Sequence, residues 1–190
     1  PLCRAPAAKT EAEMVRRLQK HVDKGNAEAQ MMLGAKYFKG GSGLQQNFKR
    51  GVQLYQLAAA QGNAAAQDCL GSGCTRGLGV EIDHKTSAQW YRRAAEQGHP
   101  VGQLNLGNSF YQGAGVAQSY DDAVKWYRLA AAQGLADALF NLGVCQANGR
   151  GKDIDEALRL YKRAADKGHA GAAAEVERFT AWLAAHSGRR

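Results

Sequence analysis

Residues 83–113 read DHKTSAQWYRRAAEQGHPVGQLNLGNSFYQG, and most of this stretch recurs along the chain at a fixed spacing. The central landmark is a Leu-Gly pair, spaced by 37, 36 and 36 residues between successive copies. Its four copies are Leu33-Gly34, Leu70-Gly71, Leu106-Gly107 and Leu142-Gly143. A period of this length is typical of helical-repeat arrays.

One helix of each unit is predicted by a tyrosine, a following Ala-Ala pair and a closing glycine. The tyrosines are Tyr55, Tyr91, Tyr127 and Tyr161. A residue type that caps helix N-termini lies 15 positions before each closing glycine, at Thr10, Asn47, Asp83, Ser119 and Asp153. The side-chain oxygen of such a residue accepts a hydrogen bond from an unpaired amide of the first turn. The closing glycines suit the left-handed position after a helix.

The other helix of each unit carries the Leu-Gly pair. Glycine inside a helix costs about 1 kcal/mol relative to alanine, so a close approach of the partner helix is the expected compensation. A glycine-rich joint separates the two helices, and the variation in length is confined to it. These joints are predicted at Gly40 to Gly43, Gly77 to Val80, Gly113 to Val116 and Gly149 to Gly151.

The pattern A-x-x-x-L-G-x-x-Y-x-x-G-x-G-V followed by W-Y-x-x-A-A-x-Q-G resembles the Sel1-like repeat family, a relative of the tetratricopeptide repeat. The resemblance covers about residues 10–178. It implies an all-α fold, a right-handed α-solenoid of stacked antiparallel helix pairs. Local departures include Leu54 and Leu160 at the tryptophan position, and Cys74 and Gln146 at the tyrosine position of the first helix.

The repeat pattern predicts a single domain over residues 10–185. A cap helix is expected at 10–25, four repeats at about 26–62, 63–98, 99–134 and 135–168, and a terminal cap helix at 170–185. Terminal units of repeat arrays are atypical because they cover the last interface. Residues 1–9 are expected to form a disordered leader, and residues 186–190 a frayed tail.

The chain has a net charge of +8, from 25 Lys and Arg against 17 Asp and Glu. Most cations are expected on the solvent face of the second helices, and no basic groove with interleaved aromatic residues is evident. Nucleic-acid binding is therefore not predicted. No apolar stretch reaches the ~20 residues that a membrane-spanning helix needs.

The four cysteines and five histidines are the residues that could form a catalytic or metal-binding pattern. Cys69 and Cys74 lie on one predicted helix, about 8 Å apart, which is too far for a disulfide. His99 and His169 follow a closing glycine and are predicted to be turn residues. No zinc-ligand spacing or nucleophile motif occurs, so we predict no enzyme, no metal and no cofactor. Whether any cysteine forms a disulfide stays open.

The predicted functional surface is the side of each first helix that faces away from the Leu-Gly stripe. By resemblance to tetratricopeptide repeats, this side lines the concave face of a superhelix. The candidate partner-binding residues are Glu28, Met31, Phe38, Asp68, Thr75, Leu104, Asn108, Tyr111, Asp137, Phe140 and Val144. A partner peptide or loop is expected in this groove. The alternative that Met31 and Leu104 pack against the neighbouring repeat stays open. Replacing Phe38 and Tyr111 is expected to leave stability unchanged.

The resemblance implies a non-catalytic interaction scaffold that binds another protein. Such scaffolds include adaptors, and immunity proteins that silence a toxic effector enzyme. The alternative is a small-molecule-binding or accessory subunit of an enzyme or a secretion assembly. The composition and the unstructured N-terminal leader favour an exported, periplasmic protein, whereas cysteines without repeat-wise bridges favour the cytoplasm.

Overall fold

A computed structural model describes residues 11–41, 44–148 and 153–186. The side chains of residues 11, 12 and 186 are not part of this description. Predictions for the leader 1–9, for Cys3 and the cap Thr10, for the last joint and for residues 187–190 lie outside the described residues.

Ten helices form in the described parts of the chain, and no strand occurs there beyond an isolated antiparallel bridge between Gly41 and Leu44. The helices are α1 (Glu11–Val22), α2 (Ala27–Lys39), α3 (Phe48–Ala60), α4 (Ala64–Arg76), α5 (His84–Glu96), α6 (Pro100–Gln112), α7 (Tyr120–Ala132), α8 (Ala136–Asn148), α9 (Ile154–Asp166) and α10 (Ala172–His186). Helices α2, α4, α6 and α8 carry the Leu-Gly pairs and are called first helices. Helices α3, α5, α7 and α9 carry the tyrosines and are called second helices.

The predicted N-caps start the second helices. The side chains of Asn47, Asp83, Ser119 and Asp153 each accept a hydrogen bond from a first-turn amide of α3, α5, α7 and α9. First helices are capped in the same way by Asn26, Asn63 and His99. The predicted role of His99 as a turn residue is therefore confirmed: its Nδ1 accepts from the amide of Gly102 at 3.1 Å.

The glycines that close the second helices adopt positive φ, which disfavours residues with a side chain. The values are 87° at Gly62, 83° at Gly98, 91° at Gly134 and 85° at Gly168. These turns let each second helix end and the next helix begin within a few residues. The predicted helix ends are confirmed.

The contacts within the chain define two compact units, Pro1–Gln97 and Gly98–Arg190. In the first unit each of the helices α1 to α5 packs against the next. One core cluster of this unit lies on α3 and α4, which bury small, aliphatic and aromatic side chains there: Val52, Tyr55, Ala58, Ala59, Ala66 and Leu70.

The second unit has the same order of packing, from α6 to α10. Tyr127 and Leu139 are almost fully buried in its largest cluster, which continues to Leu160 on α9 and Ala172 on α10. Phe179 of α10 stacks on Tyr161 with ring centroids 5.6 Å apart. The terminal helix thus covers the last repeat, as a cap should.

Candidate functional site

The Leu-Gly pair of each first helix lies directly against the tyrosine of the following second helix. A Cβ atom added to Gly107 would lie 2.6 Å from Cε1 of Tyr127. The equivalent distances are 2.7 Å for Gly34 and Tyr55, 2.5 Å for Gly71 and Tyr91, and 2.7 Å for Gly143 and Tyr161. Real Cβ atoms do not approach other atoms this closely, so the predicted contact role of these glycines is confirmed.

A glutamine pair links the two ends of each of the first three repeats, and the sequence analysis missed it. Gln61 donates to Gln30 at 2.8 Å, Gln97 to Gln67 at 2.7 Å and Gln133 to Gln103 at 2.9 Å. The three acceptor side chains are buried. Each bond therefore stabilises the fold, because a buried amide without a hydrogen-bond partner lowers the free energy of unfolding. The sequence signal that could have predicted this bond is the glutamine that recurs at both positions. In the fourth repeat, Leu139 and Lys167 occupy these positions.

One face of each first helix remains open within its own unit. In the first unit this face is formed by eight positions on α2 and α4, which we call wall 1. Wall 1 consists of Glu28, Met32, Ala35, Lys39, Ala65, Cys69, Ser72 and Arg76, and each is exposed or half-buried.

The equivalent eight positions on α6 and α8 form wall 2 in the second unit. Wall 2 consists of Val101, Asn105, Asn108, Gln112, Asp137, Asn141, Val144 and Asn148, and none of them is buried. Asn141 Nδ2 donates to Asn108 Oδ1 at 3.0 Å, which joins the two helices across the wall. The hydroxyl of Tyr127 donates to the same oxygen at 2.8 Å.

Four of the predicted partner-binding residues lie on these walls. Glu28 is on wall 1, and Asn108, Asp137 and Val144 are on wall 2. Asp137 is within 3.6 Å of His169 Nε2. Binding by any of the four stays a prediction.

The predicted placement of Phe38 and Tyr111 on an open groove needs correction. The ring of Phe38 packs between α2 and α3, 5.1 Å from the ring of Tyr55 and 5.3 Å from that of Phe48. Tyr111 packs on the core of the second unit and lies 5.3 Å from the ring of Tyr120. Both side chains therefore belong to helix-pair interfaces.

The other predicted residues lie next to the wall positions on the same helices, and each has contacts of its own. Met31 packs on the core of the first unit, Asp68 and Leu104 are buried, and Phe140 stacks on His169 at a centroid distance of 4.1 Å. The clusters of Met31 and Leu104 include Leu70 and Leu142 on the next first helix, which favours the alternative left open by the sequence. Thr75 is exposed but its hydroxyl bonds to Ser87 at 2.6 Å.

These differences share one cause, an error of one residue in register. The open face runs through positions 28, 32, 35 and 39 of α2, whereas the prediction used 28, 31, 35 and 38. Both series follow a helical period. The choice between them depends on how the following helices cover α2, which the helix's own sequence does not encode.

The three cysteines in the described parts of the chain are free thiols. Burial raises the pKa of Cys69 and Cys74, and raises that of Cys145 to about 11. Reactive cysteines show the opposite shift, since the thiolate is the nucleophile. Among the described residues, no group of His, Cys, Asp and Glu side chains has the arrangement of a metal site.

A cleft of about 500 Å³ opens in the first unit between α3, α4, α5 and the joint that precedes α5. Leu70, Cys74 and Trp90 contribute to its lining. Its polar groups Asp83 and Thr86 already bond to each other at 2.6 Å, which holds the pKa of Asp83 below its usual value.

No described helix is long and apolar enough to span a membrane.

Comparison with protein families decides the classification. The family described as Sel1 repeat matches four consecutive segments, residues 27–63, 64–99, 100–135 and 136–169. The chain belongs to the Sel1 repeat family. The resemblance and the all-α solenoid fold predicted from the sequence are thereby confirmed. Among curated proteins, no relative matches the chain.

Two solved structures share about a third of their aligned residues with this Sel1 repeat chain. A protective antigen of uropathogenic Escherichia coli with the same repeat fold is 32% identical, with a TM-score of 0.79 over 83% of this chain and 34% of that one. A Sel1 repeat protein from Oxalobacter formigenes is 31% identical, with a TM-score of 0.79 over 86% of this chain and 67% of that one. The chain therefore spans about a third of the antigen and two thirds of the Oxalobacter protein.

A third structure resembles the chain in fold alone. The immunity protein Pa5087 from Pseudomonas aeruginosa is 21% identical, with a TM-score of 0.60 over 90% of this chain and 64% of that one.

Proposed function

We propose that this Sel1 repeat chain is a non-catalytic module that binds another protein through walls 1 and 2. The observation that supports this most is that all 16 wall positions are exposed or half-buried, on helices whose other faces are packed. Met32 on wall 1 is 43% exposed and Val101 on wall 2 is 39% exposed, so each wall offers an apolar side chain to a partner. Exposed apolar side chains next to polar ones are typical of protein-binding surfaces.

The two units differ in charge, and this bears on the partner. Residues 1–97 contain 14 Lys and Arg against 8 Asp and Glu, whereas residues 98–190 contain 11 against 9. On wall 1, Lys39 and Arg76 lie at the ends of α2 and α4 that lead into the joints. Wall 1 therefore fits a partner surface that combines an apolar side chain with carboxylates, because opposite charges steer association.

We propose further that the partner is a toxic effector enzyme, which the chain silences as an immunity protein. The support is the shared fold with immunity proteins of Pseudomonas aeruginosa. We propose the periplasm as its location, with the cytoplasm as the alternative. Co-expression tests both points: the chain with an export signal should restore growth to cells that produce the toxin encoded by a neighbouring reading frame, and the chain without that signal should not. Unchanged killing by every neighbouring product contradicts the immunity role.

Site-specific photocrosslinking tests the binding surface. A benzophenone amino acid is placed at Met32 on wall 1 and at Val101 on wall 2, and at the exposed Gln53 and Arg128 on the second helices as matched controls. The two wall positions are expected to crosslink to the same partner and the two controls to give no product. Crosslinks from Gln53 or Arg128 alone contradict binding through the walls.

A further inference from the structure

Wall 2 differs from wall 1 in one chemical respect. Five of its eight residues carry a side-chain carboxamide: Asn105, Asn108, Gln112, Asn141 and Asn148. None of the eight residues of wall 1 does. Asp137 is the one charged residue of wall 2, and it lies beside His169.

The hydrogen bonds of Asn108 and Asn141 leave one donor group and one acceptor without a partner among the described residues. Asn108 Oδ1 accepts from both Tyr127 and Asn141, so both of its lone pairs are used. The Nδ2 group of Asn108 bonds to no described residue, nor does Oδ1 of Asn141. Because burial of Tyr127 and the bond between the helices fix the two carboxamides, their orientation is set before any ligand arrives.

A fixed carboxamide donor next to a fixed acceptor complements a peptide group, which presents one C=O and one N–H. The spacing along the helix also fits. Asn108 and Gln112 are four residues apart, which is about 6 Å along the axis of α6. Peptide groups on the same side of an extended chain recur every ~6.7 Å. A sugar ring would need an exposed aromatic face to stack on, and wall 2 has none among its eight positions.

We propose that wall 2 binds an extended segment of the partner protein through the segment's main chain. The inference rests on the proposed function and specifies its ligand class: a linear peptide, bound largely independently of its side chains. Because no charge dominates the wall, recognition uses the C=O and N–H groups that every residue shares. Wall 1 has apolar and basic residues instead, and these favour particular side chains.

Linear dodecapeptides displayed on phage are the first probe, selected on the immobilised full chain. The strongest peptide is then synthesised in three forms: unmodified, N-methylated at its odd amides and N-methylated at its even amides. Successive peptide groups of an extended chain point to opposite sides. One methylated form should therefore lose at least about tenfold in affinity while the other binds nearly as well as the unmodified peptide.

The matched protein variant is Asn108→Asp. It keeps the oxygen that accepts from Tyr127 and Asn141 but removes the two N–H donors of the carboxamide, so the fold is retained while peptide affinity should fall at least about tenfold. Gln112→Ala should also weaken binding. Gln89→Ala removes an exposed carboxamide from α5, outside wall 2, and should have no effect. A circular dichroism melt of each variant verifies that the fold persists.

Three results overturn the inference. The first is that no linear peptide is selected. The second is that the two methylated forms lose affinity equally, or that neither loses affinity. The third is that Asn108→Asp binds the peptide with unchanged affinity. Binding of a glycan that Asn108→Asp abolishes, without peptide binding, also overturns it. If photocrosslinks still place a partner on the walls in any of these cases, the proposed function stands and only the ligand class is wrong.

Discussion

Gly71 of α4 and Tyr91 of α5 are in such close contact that a Cβ atom on Gly71 would lie 2.5 Å from the tyrosine ring. Tyr91 is buried, and its backbone is held by α5. The ring therefore has no room to move away, and the separation of the two helices depends on the missing side chain.

A single added methyl group tests this dependence. Gly71→Ala should lower the free energy of unfolding by about 1–3 kcal/mol, because overpacking outweighs the ~1 kcal/mol gain in helix propensity. Gly73 on the same helix is the matched control, since its nearest neighbours would lie 3.6 Å and 3.9 Å from a Cβ. Gly73→Ala should therefore stabilise by about 0.5–1 kcal/mol. Urea unfolding measures both, and equal effects at the two positions contradict the contact argument.

Tyr127 combines burial with a polar contact, and two substitutions separate these contributions. Tyr127 is 2% exposed, so Tyr127→Ala should destabilise by about 3–5 kcal/mol. Tyr127→Phe keeps the ring but removes the bond to Asn108, which should cost about 1 kcal/mol. Thermal and urea unfolding give both values. A cost for Tyr127→Phe as large as that for Tyr127→Ala would show that the hydroxyl, and not the ring, dominates.

The sequence predicted the repeat architecture well because its signals are local and repeated. Each N-cap, closing glycine and Leu-Gly pair depends on the residues of one helix or one helix pair. Asn47, Asp83, Ser119 and Asp153 all cap their helices as expected. Four copies of the same signal fix the helix bounds more firmly than any single copy.

The surface was harder to predict, because its register depends on how neighbouring helices pack on each first helix. Phe38 and Met32 illustrate this. Both are apolar and both lie away from the Leu-Gly stripe of α2, but Phe38 contacts Tyr55 and Phe48 whereas Met32 is 43% exposed. The position of α3 relative to α2 decides which of them is covered. The carboxamides of wall 2 were missed for the same reason, apart from Asn108.

Phe38 and Met32 therefore provide a paired test of stability against binding. Phe38→Ala should lower the free energy of unfolding by about 3 kcal/mol, in contrast to the unchanged stability expected from sequence alone. Met32→Ala should change it by less than about 0.5 kcal/mol, since exposed positions contribute little. In a partner-capture assay the order of the two effects should reverse. Met32→Ala should capture less partner, at a temperature where this variant is fully folded. Normal capture by Met32→Ala contradicts the assignment of Met32 to a binding surface.

Buried thiols make a prediction about chemical reactivity. Cys74 and Cys145 are buried and burial raises the pKa of both, to about 11 for Cys145. In a variant that carries both Cys3→Ser and Cys69→Ser, Ellman's reagent at pH 8 should modify these two thiols slowly in the native state and rapidly in guanidinium chloride. Cys145→Ala serves to assign the slow phase. Rapid modification of native Cys145 contradicts the burial described for α8.

Tyr161 makes stability depend on alkaline pH. Burial, with a further contribution from the Glu175 carboxylate, raises the pKa of Tyr161 to about 12, against about 10 in the unfolded chain. Because the folded state holds the proton more tightly, this contribution to stability is complete below pH 10 and is lost as the pH rises toward 12.

Urea unfolding at several pH values should give a free energy of unfolding that falls through this window. Tyr161→Phe has no proton to lose, so its decline should be shallower, with the remainder due to other buried tyrosines such as Tyr55 and Tyr127, whose pKa is also raised by burial. Equal slopes in the wild-type chain and Tyr161→Phe would mean that the hydroxyl of Tyr161 is solvated, which contradicts its burial under Phe179 and α10.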